Sequence, residues 1–157
     1  LFRPWHIIGN IGGNMEERYL FKAKRIDNEE WVIGSLVTNV FFRLGQSIPY
    51  ILCPDKAEYD CLENFTVFEV QPNTICWCTG LRDRYGNLIW ENDIVRDKHG
   101  NFYKAIWQND CYQFSWSCVK SDVFLIGAKW NLWSFKSFEI EVVGNIFDNK
   151  ELLESEE

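Results

Sequence analysis

The chain has 157 residues, of which 46% are hydrophobic and 25% are charged, and its formal net charge at pH 7 is −7. This balance is typical of a soluble globular domain and excludes disordered, collagen-like and coiled-coil proteins. No apolar run approaches the ~18 residues of a membrane-spanning helix, so we expect no membrane segment. The apolar run at residues 123–128 has the length of a strand.

Residues 1–14 precede the only methionine, Met15, and they are Gly-rich and unpatterned. They contain no long apolar stretch and no small-residue cleavage site, which argues against a signal peptide. We therefore expect a disordered extension or non-native N-terminus at 1–14 and a single domain at 15–157. Within that domain, residues 15–80 form an N-terminal β part and residues 81–150 form a meander.

Aromatic residues make up 17% of the chain and include eight Trp. Because aromatic and β-branched side chains suit a pleated, half-buried surface, this composition favours a mostly all-β core. Strands are predicted at residues 19–26, 31–38, 49–53, 65–70, 74–79, 94–97, 102–107, 111–116 and 139–143. Short helical turns are predicted at 54–62, and Asp148 or Asn149 is predicted to cap a short C-terminal helix.

The three strands between residues 94 and 116 are joined by tight turns, which is typical of the meander in a small SH3-like β-barrel. We expect the N-terminal hairpin elements to pack against this barrel. Gly86 supplies positive φ in the turn that begins at Asp83. Asp83, Glu91 and Asp93 could hold a cation or act as an acid–base pair, but Asx turns explain them more simply.

Charge is unevenly distributed. From Glu139 to Glu157 there are seven acids against Lys150, a net charge of −6, so the first 138 residues carry −1. Because the first 138 residues are nearly neutral, tight non-specific binding of nucleic acid, which needs clustered cations, is not expected. The local basic candidates are Lys22, Lys24 and Arg25, and the set Arg82, Arg84, Arg96, Lys98 and Lys104.

The chain has six cysteines and no recognisable targeting segment, so we expect a reducing compartment and free thiols. Cys76 and Cys78 share one face of a strand and could offer two metal ligands, completed by Cys111, Cys118 or His99. The chain has no Cys-x-x-Cys pair, and buried cysteines commonly serve as small apolar residues. We therefore expect neither a metal nor a cofactor.

Three segments match known motifs. Residues 79–95, TGLRDRYGNLIWENDIV, resemble the pattern TGLxDxxGxxIxExDIV, and residues 141–153, EVVGNIFDNKELL, resemble EVIGNIYDNPELL. The start, FKAKR followed by WVIGSL at 31–36, is similar to FRGKR and WVYGSL. Together the motifs span residues 19–153, and as a set they resemble those of the YopX protein family. Cys76 and Cys78 depart from the family pattern, Asn92 replaces a common glycine and can adopt its left-handed geometry, and residues 119–138 match no pattern.

The resemblance implies a mostly-β protein encoded by phages or prophages and located in the cytoplasm of a bacterial host. It implies no reaction, because no activity is established for the family, and no functional residue is carried over. The sequence also lacks a P-loop and the GxGxxG, HExxH and GxSxG motifs, and His99 lies in a turn. We therefore predict that the protein is not an enzyme.

A binding module is the favoured class. The candidate binding residues are Tyr85, Trp90, Arg82, Arg84, Arg96, Trp130 and Trp133. Trp107 and Trp116 are assigned to the core. The leading hypothesis is a protein partner, since Trp is enriched at interaction hot spots. The alternatives are nucleic acid bound through Arg82, Arg84, Arg96 and Lys98, and homo-oligomers formed through a strand edge or aromatic patch.

Overall fold

The computed structural model describes residues 17–38, 42–43, 46–54, 65–136 and 139–153. The strands within these ranges are β1 Phe21–Lys24, β2 Trp31–Val37, β3 Phe42–Arg43, β4 Gln46–Ser47, β5 Tyr50–Pro54, β6 Phe65–Glu69, β7 Cys76–Arg82, β8 Leu88–Trp90, β9 Asp93–Asp97, β10 Phe102–Gln108, β11 Gln113–Lys120, β12 Lys129–Asn131 and β13 Ile140–Asn145. Short 3-10 helices occupy Glu17–Tyr19, Pro72–Thr74, Leu132–Ser134 and Lys150–Leu153. Across the described ranges, no helix has the length and apolar character to cross a membrane.

The strands form two main antiparallel sheets, which confirms the mostly all-β prediction. The first sheet has the order β6-β5-β2-β1-β7-β8, and the second has the order β12-β11-β10-β9-β13. Strands β3 and β4 pair separately. The chain passes from the first sheet to the second at Glu91 and Asn92, and Asn92 adopts a left-handed φ of 67°. The glycine-like conformation expected at Asn92 is therefore confirmed.

Most predicted strands lie close to their expected positions, because turn-forming residues separate the apolar segments along the chain. The predicted hairpin β1–β2 forms with Lys24 opposite Trp31. The helical turns predicted at 54–62 fall outside the described residues, apart from Pro54 at the end of β5. The predicted C-terminal helix forms as a 3-10 turn at Lys150–Leu153. The Asn149 side-chain oxygen accepts from the Asn145 N–H at 3.2 Å.

The meander prediction is confirmed in part. Strands β9, β10 and β11 are consecutive antiparallel neighbours, but β12 and β13 lie at opposite edges, so the described strands form an open sheet and not a closed SH3-like barrel. Strand β13 forms one edge of the second sheet, and the turn after β7 partly covers this edge. Arg84 N–H donates to the Ile140 carbonyl at 3.0 Å, and Val142 N–H donates to the Asp83 carboxylate at 3.1 Å.

The apolar core is divided between the sheets and their junction. Tyr103 and Trp116 are fully buried in the second sheet, while Ile51 and Val70 are buried in the first. Aromatic rings connect the two, since the Trp77 ring of β7 lies 5.2 Å from Trp107 of β10 and 5.5 Å from Phe114 of β11. The assignment of Trp116 to the core is confirmed, and Trp107 packs between the sheets.

Candidate binding surface

The turn between β7 and β8 is organised by one buried carboxylate. Asp83 Oδ1 accepts the backbone N–H groups of Tyr85 and Asn87, both at 2.9 Å, and Asp83 Oδ2 accepts the Asn87 side-chain amide at 3.1 Å. Gly86 has φ 85° and donates to the Asp83 carbonyl. The turn predicted here, including the positive φ of Gly86, is confirmed.

The turn between β9 and β10 repeats this geometry fourteen residues later. Asp97 Oδ1 accepts from His99 N–H at 2.8 Å and from Asn101 N–H at 2.9 Å, and Oδ2 accepts the Asn101 side-chain amide at 2.9 Å. Gly100 has φ 86°. Both turns read Asp-x-x-Gly-Asn. The turn predicted around His99 is confirmed, whereas the five-residue pattern that the two turns share was not predicted.

The two aspartates fix the conformation of their turns. Burial alone would raise the pKa of Asp83, but hydrogen bonds from Val142, Asn87 and Tyr85 outweigh it, and the pKa lies below its usual value. The same balance lowers the pKa of Asp97, through donors that include Asn101. Because these donors already occupy the carboxylate oxygens, the pair is suited to fixing the turn tips, not to binding a cation.

Three of the predicted basic residues lie beside carboxylates of β13 or of the residue before it. Arg96 Nε donates to Glu141 Oε1 at 2.9 Å, Arg84 lies 3.8 Å from Glu141 Oε2, and Tyr85 donates to the same oxygen at 3.3 Å. Lys98 lies 3.5 Å from Glu139 Oε1. The structure thus brings Arg84, Tyr85 and Arg96 together around one glutamate, where part of their positive charge is neutralised.

Arg82 lies apart from this group. Its guanidinium forms an ion pair with Glu17 and donates to the Gly86 carbonyl. The side chain therefore links the N-terminal 3-10 turn to the first Asp-x-x-Gly-Asn turn. These contacts favour a positioning role for Arg82 over contact with a partner.

The predicted tryptophans fall into different environments. Trp90 is 5% exposed and packs with Cys76 and Cys78, so it offers little surface to a partner. Trp130 is half-buried, with its ring edge-on to Phe124 at 5.1 Å. Trp133 is 75% exposed and follows β12 in a 3-10 turn. Of the three, Trp133 retains the most accessible ring.

An exposed apolar loop lies between β11 and β12, and we call residues 121–128 the apolar loop. Val123, Phe124, Leu125 and Ile126 are 78%, 41%, 84% and 64% exposed. The sequence indicates only the length of a strand for this run, and the exposed loop was not predicted. The sequence feature that points to this exposure is a run of four apolar side chains directly before a glycine. Successive side chains of a strand point to opposite faces, so a strand buried on one face cannot bury all four.

The apolar loop has a fixed backbone. The Ser121 hydroxyl accepts the N–H groups of Val123 and Phe124 at 3.0 and 2.9 Å, and it donates to Asn101 Oδ1 at 2.7 Å. Gly127 N–H donates to the Cys118 carbonyl at 2.8 Å. Since Asn101 belongs to the second Asp-x-x-Gly-Asn turn, the apolar loop and that turn are held together.

A second cluster lies at the junction of the sheets. Lys22 of β1 forms an ion pair with buried Asp93 of β9 at 2.6 Å, and its ammonium lies 4.9 Å from the Trp31 ring centroid. Trp31 Nε1 donates to Asp148 Oδ2 at 2.7 Å, and Lys24 forms an ion pair with the same carboxylate. All three sequence motifs therefore contribute side chains to this cluster.

We call Lys22, Lys24, Trp31, Asp93 and Asp148 the motif cluster. Burial raises the pKa of Asp93 against the opposing effect of Lys22, while hydrogen bonds from Lys24, Asn145 and Trp31 overcome partial burial and lower the pKa of Asp148 to about 2. The carboxylates are engaged by cations, backbone and indole groups. This arrangement joins β1 and β2 to the start of β9 and to the segment after β13.

The cysteines are separated by the fold. Cys76 and Cys78 are buried at the sheet junction, whereas Cys118 is buried in the second sheet and Cys111 is exposed. Burial raises the pKa of Cys76 to about 12 and also raises those of Cys78 and Cys118. In the part of the chain that the structure describes, no three His, Cys, Asp or Glu side chains form a group able to hold a metal.

Comparison with known proteins agrees with the motifs. No curated protein matches the chain. The family model described as YopX protein matches residues 20–154, which include β1, the turns, the apolar loop and the motif cluster. Because this match covers most of the 157 residues, the chain belongs to the YopX family.

Proposed function

We propose that the chain is a non-catalytic binding module that engages a protein partner through the apolar loop. The observation that carries this proposal is the exposure of Val123, Leu125 and Ile126 in a loop whose backbone is fixed by hydrogen bonds. Contiguous exposed apolar side chains are characteristic of interaction surfaces. Trp133 and Tyr85, both exposed, are the sequence-predicted residues that this proposal retains as partner contacts.

Preorganisation supports the loop as the contact. A partner that covers these side chains removes apolar area from water, which is worth ~25 cal/mol per Å². Ordering a flexible loop would consume part of that free energy. Here the Ser121 hydroxyl and the Cys118 backbone already hold the conformation, so the cost of ordering the loop is small.

The absence of catalysis is part of the proposal. The thiols of Cys76, Cys78 and Cys118 have raised pKa values, which makes them poor nucleophiles. Asp83 and Asp97 are engaged by turn donors. A phage or prophage origin and a location in the bacterial cytoplasm also belong to the proposal, and they rest on the resemblance to the family.

The test compares capture by the wild-type chain and by Leu125→Asp. Each protein is immobilised and exposed to bacterial lysate, with and without nuclease. A matched control is Val67→Asp, which places the same charge at a half-exposed apolar position on β6. We expect a protein that binds the wild-type chain and the Val67 variant, survives nuclease, and is lost with the Leu125 variant.

Other results identify the alternatives. Material that disappears after nuclease would favour nucleic acid, with Arg96 and Lys98 as the exposed cations to substitute first. Capture that is equal for all three proteins, or absent, would contradict the proposal. Light scattering of the wild-type chain and Leu125→Asp separates a partner from self-association, since an oligomer formed through the loop would dissociate in the variant.

A further inference from the structure

One end of the second sheet gathers three connecting segments. Antiparallel pairing places the end of β9 beside the start of β10 and the start of β13, with Asp97 opposite Ile140. The end of β11 and the start of β12 meet at the same side, because Ser117 lies opposite Lys129. The turn after Asp83 joins them through the hydrogen bond from Arg84 to Ile140. We call this surface the loop face.

The apolar loop occupies the loop face together with the second Asp-x-x-Gly-Asn turn. Ser121 and Asn101 are joined by a 2.7 Å hydrogen bond, so the exposed residues Lys98 and His99 lie in the turn next to Val123. A partner that covers the apolar side chains therefore meets the neighbouring turn as well.

On the loop face, the cations are more exposed to solvent than the carboxylates. Arg96 and Lys98 are 49% and 58% exposed, whereas Glu141 and Glu139 beneath them are 13% and 26% exposed. Asp83 and Asp97 are buried. Among the described residues, the cations at this end are Arg84, Arg96, Lys98, Lys120, Lys129 and Lys136, and the carboxylates are Asp83, Asp97, Asp122, Glu139 and Glu141. Asp122 is the exposed carboxylate of this group, so the outward groups are mostly cationic.

We propose that the occupant of the loop face is an acidic polypeptide segment with apolar side chains. Its apolar groups pack on Val123, Leu125 and Ile126, and its carboxylates lie against Lys98 and the neighbouring outward cations. This inference rests on the proposed function and specifies the chemistry of the partner. Complementary charge around an apolar centre is the usual arrangement of specific interfaces.

The arrangement favours a polypeptide over nucleic acid. Because Glu141 pairs with Arg96 and Glu139 pairs with Lys98, the cations of the loop face do not form the unbroken row that a repeating phosphate backbone needs. A single peptide carboxylate needs contact with only one cation. Nucleic-acid sites for single strands combine a continuous cationic groove with stacking rings. The loop face instead carries four aliphatic or aromatic side chains of one loop beside the second Asp-x-x-Gly-Asn turn.

The experiment selects random displayed peptides on the immobilised full chain. The same selection is run on Leu125→Asp, on Lys98→Glu, and on Lys150→Glu as a charge control. Lys150 follows the opposite end of β13, where Asn145 pairs with Asp93, so its reversal leaves the loop face unchanged. Affinities of enriched synthetic peptides are then measured at low and high salt.

We expect peptides that combine Asp or Glu with Leu, Ile or Phe. Their binding should be lost with Leu125→Asp, weakened roughly two- to fivefold by Lys98→Glu and by high salt, and retained by Lys150→Glu. Neutral or basic peptides that still need Leu125 would overturn this inference and leave the proposed function standing. If no peptide prefers the wild-type chain over Leu125→Asp, both fail.

Two further probes address other occupants. Binding of a fluorescent single-stranded oligonucleotide that depends on Lys98 but not on Leu125 would overturn the inference in favour of nucleic acid. Sedimentation with anionic lipid vesicles that depends on Leu125 would overturn it in favour of a membrane surface. With neither probe bound, acidic apolar peptides remain the supported class.

Discussion

Lys22 Nζ lies 2.6 Å from Asp93 Oδ1 and joins the first sheet to the second across 71 residues of chain. Asp93 Oδ2 also accepts the Trp90 N–H at 2.8 Å, so both carboxylate oxygens have partners. The Lys22 ammonium lies near the faces of Trp31 and Trp90 as well. Because this ion pair is buried, removal of either side chain leaves the charge of the other buried without a counter-ion.

Replacement of Lys22 by Met should strongly destabilise the fold. The buried Asp93 carboxylate then loses its counter-ion, and breaking such a pair costs about 3–5 kcal/mol. Urea denaturation measures the change in the free energy of unfolding. Lys150→Met, at an exposed position, is the control and should change it by less than about 0.5 kcal/mol.

The double variant separates charge from packing. Lys22→Met combined with Asp93→Asn keeps an oxygen for the Trp90 N–H but removes the unpaired charge. We expect it to be more stable than Lys22→Met alone, since the penalty arises mainly from the buried carboxylate. Equal stability of the two variants would refute the ion-pair argument.

Stability should decline in acid. Asp83, Asp97 and Asp148 have folded pKa values below their ordinary values, so the stability they contribute is present above the unfolded pKa and is lost as pH falls through the folded values. Asp93, whose pKa is raised, acts in the opposite direction. We expect the loss to begin near pH 4 or below, since unfolded aspartate titrates at about 3.9.

Asp148→Asn tests one member of this set. Its carboxylate has a pKa of about 2, so the variant should lose less stability than the wild-type chain as pH falls from about 4 to about 2. Thermal unfolding monitored by circular dichroism at several pH values gives the comparison. Parallel curves for the two proteins would show that Asp148 does not contribute.

Alanine in place of Gly86 or Gly100 should destabilise the fold through its backbone conformation alone. Gly86 and Gly100 have φ 85° and 86°, and a Cβ built on either meets no heavy atom within 4 Å. Gly86→Ala and Gly100→Ala should therefore each cost roughly 1–2 kcal/mol from the left-handed backbone. Asn92→Gly, at φ 67°, is the matched control and should be close to neutral.

Chemical denaturation measures these three variants. If the alanine variants were as stable as the wild-type chain, the turns would have to relax to another φ without cost. That outcome would also contradict a fixed conformation of the two Asp-x-x-Gly-Asn turns.

The buried thiols should be unreactive in the native protein. In a Cys53→Ser/Cys61→Ser/Cys111→Ser variant, the remaining thiols are those of Cys76, Cys78 and Cys118, all buried and all with raised pKa values. An aromatic disulfide reagent at mildly alkaline pH should label none of them within minutes and all three after denaturation. Rapid native labelling would contradict the burial of these groups.

Local sequence features account for much of the fold. Alternating apolar residues and turn formers such as Gly86 and Asn92 specify the strands and their boundaries, because these preferences act within a few residues. The motifs likewise indicated the family from residues alone. The open second sheet was not predicted, since the edge of β13 is covered by Asp83 and Arg84, more than fifty residues earlier in the chain.

The candidate surface depended on contacts between distant segments. From the sequence, Arg84 and Arg96 read as a basic patch, but strand pairing places Glu141 beside both and changes their electrostatic character. Charge type is a property of the residue, whereas its neutralisation depends on which strands become neighbours. The same reason explains why the motif cluster around Lys22 was not foreseen.

Composition, strand propensity and turn chemistry are local properties, so the chain's order of residues is enough to specify a mostly-β protein with tight turns at Asp83 and Asp97. Exposure is different, because it depends on what packs against each side chain after the sheets assemble. Trp90 and Trp133 have the same chemistry, yet one is enclosed at the sheet junction and the other faces solvent. The exposure of the apolar loop has the same cause, because hydrogen bonds to Ser121 and Cys118 fix its backbone while Val123, Leu125 and Ile126 stay exposed. Of its four apolar side chains, Phe124 packs against Trp130.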